Sequence, residues 1–181
     1  MMWTGRSWLL TALAFAFATT VAREIEAQQP GLGGNIGRVR AEAALYRSNV
    51  RTILTILIED LGSRWDSENA LAPAAFYSPS AKIVLGPIDV IEGRAAIRKA
   101  FAGRLGDMHG VQLTMDDFDM SGEVAFVRGT MRYDLVHAGG ASTKETATFA
   151  MLLWLNRDEW LIQSHTIGGL PVLPGEPAAE Q

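Results

Sequence analysis

Two hydrophobic periodicities divide the chain. Val50, Leu54, Leu57, Leu61 and Trp65 recur at three- and four-residue spacing, which puts them on one face of a helix. Ile53, Ile56 and Ile58 widen that face, so the helix is expected to be largely covered. Gly62 and the run Asp66-Ser67-Glu68-Asn69 stop it. Asn69 can accept from the free amides of a second short helix reaching Phe76, which Pro73 would kink from an interior position. Residues 81–85 read as a strand ended by Gly86-Pro87, and Glu92-Gly93-Arg94 opens a third helix with Ile97 and Phe101 facing inward. From Gly106 onward the period changes to two. Strands are predicted over 111–118, 124–135, 143–155 and 160–167, separated by Ser121-Gly122, Ala138-Gly139-Gly140 and Asn156-Arg157-Asp158, all with turn chemistry. Helices followed by a meander of antiparallel strands are the pattern of an α+β domain.

The first thirty residues follow neither period. Arg6 precedes an uncharged run from Ser7 to Ala22, dense in Leu, Ala and Phe, and charge returns at Arg23, Glu24 and Glu26. A positive start, a short apolar stretch and small residues at its end form a secretory signal. A membrane span needs about 20 apolar residues, more than this run supplies. Cleavage after Ala27 is the expected point, with Ala22 as the other option, so residues 1–27 are read as a signal peptide. Pro30-Gly31-Leu32-Gly33-Gly34-Asn35-Ile36 lacks the third glycine of a dinucleotide-binding loop. Residues 28–44 are therefore read as a flexible linker, residues 45–170 as the domain, and residues 171–181, rich in proline, as a disordered tail.

Composition narrows the chemistry. The chain has 181 residues, no cysteine and a net charge of −4. Disulfides, thiolate metal sites and a cysteine nucleophile are thereby excluded. Sixteen Lys and Arg against twenty Asp and Glu, with the cations scattered, give no stripe for releasing counterions from nucleic acid.

The run from Asn69 through Tyr77 to Ile83, with its short helix, aromatic residue and first strand, resembles the opening of the nuclear transport factor 2-like superfamily. Gly93, Ile97 and Phe101 are similar to its third helix, Ser121 to Thr130 to its central strand and Trp160-Leu161-Ile162 to its last. The resemblance spans about residues 45 to 168 and is nearest to the SnoaL-like and ketosteroid-isomerase-like branch. It implies a cone, in which a curved antiparallel sheet wraps around N-terminal helices, with a pocket at the open end. It also implies a homodimer. Members include isomerases, dehydratases, cyclases and domains that only bind or dimerise, so fold leaves function undecided. The positions matching the carbonyl-polarising tyrosine and proton-moving aspartate of ketosteroid isomerases hold Leu61 and Leu85, which can do neither job.

Among the histidines, His109 and His137 lie by glycine-rich connections, whereas His165 lies on the final strand. Histidine is the natural acid–base residue near neutral pH. Strict alternation places His165 with Leu161, Gln163 and Ile167, opposite Trp160, Ile162 and Ser164, although periodicity can neither assign the inner face nor see a bulge. Tyr77 is its acid–base companion. Trp65, Tyr133 and Trp154 are the candidates for an aromatic-lined cavity, against the plainer reading of core packing. Asp116, Asp117 and Asp119 read as a solvated strand end rather than a calcium loop, and Arg128, Arg132 and Asp134 as cross-strand partners.

The expectation is an exported, periplasmic or secreted, domain that binds a small apolar molecule, with no cofactor, no metal, no nucleic acid and no membrane anchor once the signal is removed. Two functions stay open: cofactor-free proton transfer of isomerase, dehydratase or cyclase type through His165 and Tyr77, or a non-catalytic dimerising or ligand-carrying module.

Overall fold

A computed structural model describes residues 32–65, 69–85, 89–103, 105–137 and 139–170. The expected signal peptide and C-terminal tail lie outside them. The chain divides after Tyr46 into two units. In the first unit the described residues are helical, and positions 35–46 are exposed. They are the first part of helix α1, Leu32–Ser63. The flexible linker expected over 28–44 is thus corrected over its described part. Ala41, Ala43, Ala44 and Leu45 are strong helix formers, and their propensity outweighs the glycines upstream. No helix among the described residues is long and apolar enough to cross a membrane.

In the second unit α1 buries Val50, Leu54, Ile58 and Leu61 in the core, whereas Ile53 and Ile56 are exposed, so only one face is covered and the expected wider coverage is corrected. Gly62 lets the helix end approach the sheet, because a Cβ there would lie 3.2 Å from the Leu113 nitrogen and the Val111 oxygen. A short helix α2, Leu71–Ala74, follows, and the Asn69 side chain accepts from the Leu71 amide at 3.1 Å. Then come β1, Tyr77–Val84, β2, Val90–Glu92, and α3, Arg94–Phe101. Four long strands complete the domain: β3, Met108–Ser121, β4, Val124–Val136, β5, Ser142–Asn156, and β6, Glu159–Gly168.

The six strands form one open sheet in the order β2-β1-β6-β5-β4-β3. β3 to β6 are an antiparallel meander, as the turn signals predict. The sheet is mixed rather than wholly antiparallel, because β1 pairs parallel to β6. That contact joins strands separated by the whole meander, so no local turn announces it. The α+β class holds, with helices before a sheet that buries one face.

The inner face carries Ala125, Val127, Met131, Tyr133 and Leu135 from β4, and Ala147, Phe149, Met151 and Leu153 from β5. Gly129 interrupts the β4 series and is also buried. A Cβ on it would fall 2.1 Å from the Thr114 oxygen and 2.4 Å from Cζ of Phe149. The missing side chain is therefore the space that the Phe149 ring occupies.

Candidate functional site

The candidate site grows from an irregularity shared by β1 and β6. Leu152 pairs with Ser164, yet Leu153 pairs with Ile162, so Gln163 is an extra residue in β6. A one-residue bulge reverses the alternation of everything beyond it. Trp160 and Ile162 face inward before it, and His165 and Ile167 face inward after it. The assignment of His165 to the opposite face from Ile162, required by strict alternation, is corrected. On the other flank, Tyr77 stands opposite Ile162 and Lys82 opposite Ser164. β1 thus passes four residues where β6 passes one. Gln163 clamps this excess: the Ser78 hydroxyl donates to its Oε1 at 2.6 Å, and its Nε2 donates to the Ser80 hydroxyl at 3.2 Å.

Inside the sheet, the Tyr77 hydroxyl and Nδ1 of His165 are 2.8 Å apart. Neither residue has any exposed surface. The His165 ring is boxed by aromatic rings. Trp65 and Phe149 meet it edge-on, with centroids at 6.1 and 6.0 Å, and Tyr77 stacks at 6.1 Å. Phe101 closes on Trp65 at 4.9 Å and on Tyr77 at 6.1 Å. The Trp65 indole N–H is satisfied by the Leu105 carbonyl at 3.1 Å. From outside, Nε of Arg94 donates to the Tyr77 carbonyl at 2.6 Å and pins the start of β1 to α3.

Burial sets the electrostatics of the pair. It pushes the His165 pKa down to about 3 and keeps the Tyr77 phenol protonated well beyond the ordinary tyrosine range, since a low-dielectric interior disfavours each charged form. The assignment leaving fewest groups unpaired has Tyr77 donating to Nδ1, with the imidazole proton on Nε2. That Nε2 is buried and has no hydrogen-bond partner among the described residues. A buried N–H left unpaired costs roughly 1–3 kcal/mol.

The remaining candidates separate. Trp65 meets His165 directly and is linked to Tyr77 through Phe101. Tyr133 is buried on the inner face but sits six residues from the Tyr77–His165 level: it pairs with Glu145 on β5, whereas His165 pairs with Met151. Its hydroxyl is a second buried group without a partner among the described residues. Burial first, and the Glu145 carboxylate second, push its pKa up to about 12. Trp154 does not line the interior. It is 49 % exposed on the outer face, because alternation along β5 puts Leu153 inward and Trp154 outward. Leu61 and Leu85 are buried core residues. Asp116, Asp117 and Asp119 are engaged by Thr130, Arg128 and Arg47. Asp119 has its pKa lowered by the hydrogen bond from Arg47 and the Met120 amide. Among the described residues, no group of His, Asp and Glu side chains is arranged to hold a metal ion.

Neither Tyr77 nor His165 lines the surface concavities seen among the described residues near α1 and β6, across strands β3 to β6, beside α2 and α3, or by Tyr133. Arg94, Phe149 and Gln163 are the site residues that sequence reasoning missed. Phe149 lay in a strand with correct alternation, and its pairing with Gly129 was the signal to follow. Nothing local marks Gln163 as a bulge.

A helix packed on the inner face of an open six-stranded sheet, with β1 returning parallel to β6, defines the nuclear transport factor 2-like fold. The similar solved structures carry the same architecture. One is a nuclear transport factor 2-like protein with a cystatin-like fold from Novosphingobium aromaticivorans, with 17% identity, a TM-score of 0.57, 83% of this chain covered and 94% of that one. A ketosteroid isomerase-like protein from Erwinia carotovora atroseptica gives 14% identity and 0.56, over 65% and 97% of the two chains. A nuclear transport factor 2-like protein of unknown function from Shewanella oneidensis gives 18% and 0.52, over 64% and 96%. No protein-family model matches the chain, and no curated protein does either.

Proposed function

We propose that this chain is an exported domain that binds a small, largely apolar molecule carrying one hydrogen-bond acceptor, with the acceptor placed on Nε2–H of His165. One observation carries this reading: a fully buried imidazole, fixed on one side by Tyr77 and ringed by Trp65 and Phe149, has no partner for its second nitrogen among the described residues. A ligand carbonyl would relieve that deficit inside an apolar box, the usual character of a small-molecule site. Because Trp65, Phe149 and Tyr77 pack around the His165 ring, the ligand enters by displacing aromatic side chains. Binding therefore competes with the packing.

The electrostatics favour binding over base catalysis. With its pKa pushed down to about 3, His165 is neutral at ordinary pH and is a weak proton acceptor. Its useful role is that of a neutral donor polarising a carbonyl, as neutral histidines do elsewhere. Isomerase-type proton transfer by Tyr77 and His165 would require water to reach the pair, because desolvation is what holds the imidazole neutral.

The direct test is calorimetry and thermal shift with hydrophobic cyclic ketones and the hydrocarbons of the same shape. Ketones should stabilise the protein more than the hydrocarbons, and His165→Phe should erase the difference. No shift across a broad panel would sink the reading. Export is tested by the amino terminus of the protein recovered from its host, expected near Gln28.

A second reading, a dimerising module, is favoured by the outer face of the sheet. Val124 pairs with Trp154, Trp154 with Leu161, and Phe126 with Leu152. Val124, Phe126 and Trp154 are exposed there, an apolar cluster of the kind that marks contact surfaces. Light scattering on the wild type and a Phe126→Lys, Trp154→Lys variant tests it. A monomeric wild type would dispose of this reading.

A further inference from the structure

A concavity of about 500 Å³ lies between α2 and the start of α3, lined by Leu71, Ala74, Ala75, Arg94, Ala95 and Arg98. Its chemistry is divided. Leu71, 53 % exposed, and three alanines supply an apolar wall, whereas Arg94 and Arg98 supply two positive charges one helical turn apart. Among the described residues, no acidic side chain lines the concavity. The arginines differ in freedom. Nε of Arg94 is held by the Tyr77 carbonyl, which fixes its guanidinium against the domain. Arg98 makes no hydrogen bond or ion pair with another described residue. Ala95 lies in the first turn of α3, where amides lack intrahelical acceptors and the helix end carries partial positive charge.

We propose that this concavity is a binding site for a small amphiphilic anion, an alkyl or aryl carboxylate whose headgroup takes Arg98 and Arg94 and whose chain lies along Leu71 and the alanines. Three features act together. A guanidinium grips a carboxylate through two parallel hydrogen bonds, the helix end adds to the field, and the apolar wall selects against small hydrophilic ions. The volume lies within the range of small-molecule sites. This concavity lies outside the interior His165 site, sharing with it only Arg94, which braces the Tyr77 backbone, and the proposal does not rest on the His165 reading.

Titration calorimetry of the full domain with octanoate, octan-1-ol and acetate tests the proposal. Octanoate should bind, octanol about tenfold more weakly for want of the charge-assisted contact, and acetate without measurable heat. Arg98→Gln should weaken octanoate about tenfold and leave octanol unchanged, whereas Arg98→Lys should keep part of the affinity. Ala95→Glu, which adds an acid to the wall, should cause a similar loss, and far-ultraviolet circular dichroism shows that each variant is folded. Absence of octanoate binding, equal affinity for octanol, or an Arg98→Gln variant that binds like the wild type would overturn the site. His165→Leu should bind octanoate normally. Loss of binding in that variant would put the ligand in the interior and overturn the proposal equally.

Discussion

Ile162 and His165 stand three residues apart on one strand and both point into the core. Strict alternation forbids this, and the extra residue Gln163 permits it. The bulge is what brings an imidazole against Tyr77 instead of leaving it on the outer face. Its clamp is the pair of hydrogen bonds that Gln163 accepts from Ser78 and donates to Ser80. Gln163→Ala should therefore destabilise the domain by about 1 kcal/mol per partly buried hydrogen bond lost. Ser78→Ala should cost a similar amount, and the double variant less than the two together, because they remove one shared contact. Urea denaturation of the four proteins checks this, and strict additivity would show that the clamp is not a unit.

Two buried tyrosines give opposite expectations for the same substitution. The Tyr77 hydroxyl is bonded to His165, and its removal strands Nδ1 in the core. Tyr77→Phe should cost about 1–3 kcal/mol. The Tyr133 hydroxyl is buried with no partner among the described residues, so Tyr133→Phe removes an unpaired polar atom and should be neutral or stabilising by up to about 1 kcal/mol. Chemical denaturation of both variants decides the matter. Equal losses would mean that Tyr133 has a partner.

How much of this was legible follows from which forces are local. The alternation of apolar residues over 124–135 and 143–155 marked β4 and β5 to within a residue or two, because each strand buries one face. The i, i+3, i+4 spacing of Val50, Leu54, Leu61 and Trp65 marked the buried face of α1 for the same reason. Leu32 to Leu45 escaped, since glycine at its start masked the alanine-rich propensity behind it. β2 escaped because its three residues are too few to show a period. The parallel β1–β6 contact and the Gln163 bulge are properties of pairing between distant segments. His165 and Tyr77 were legible as residue types on the right elements, whereas their contact was not. Trp154 shows the converse failure, in which an aromatic in a strand suggested a cavity wall and alternation turned it outward.

Gly129 tests the packing around the pair from behind. The Phe149 ring that flanks His165 fills the volume a side chain at Gly129 would need. Gly129→Ala puts a methyl group against backbone oxygen as well as ring carbon, and neither can yield without moving the strand. The expected loss is about 3 kcal/mol, at the upper end for overpacked cores. Gly129→Ala with Phe149→Leu should recover part of it, as read by thermal melting. A single variant as stable as the wild type would show that Phe149 can relocate at no cost.

The buried histidine makes stability depend on pH in a definite direction. In the unfolded chain a histidine binds its proton with a pKa of about 6.5, whereas in the folded protein the pKa of His165 is pushed down to about 3. Between those values the unfolded state holds one more proton, so acid favours unfolding. The stabilisation is fully present above pH 6.5 and declines as pH falls, by about 1.4 kcal/mol per pH unit, until the folded histidine also protonates. His165→Leu removes this proton uptake and keeps the site apolar. Its unfolding free energy relative to the wild type should shift in its own favour by roughly 3 kcal/mol between pH 7 and pH 4.5. The difference cancels the carboxylates that titrate in both proteins, because the substitution leaves them in place. Denaturant midpoints measured across that range provide the test, and a difference independent of pH would mean that His165 is protonated in the folded state or open to water.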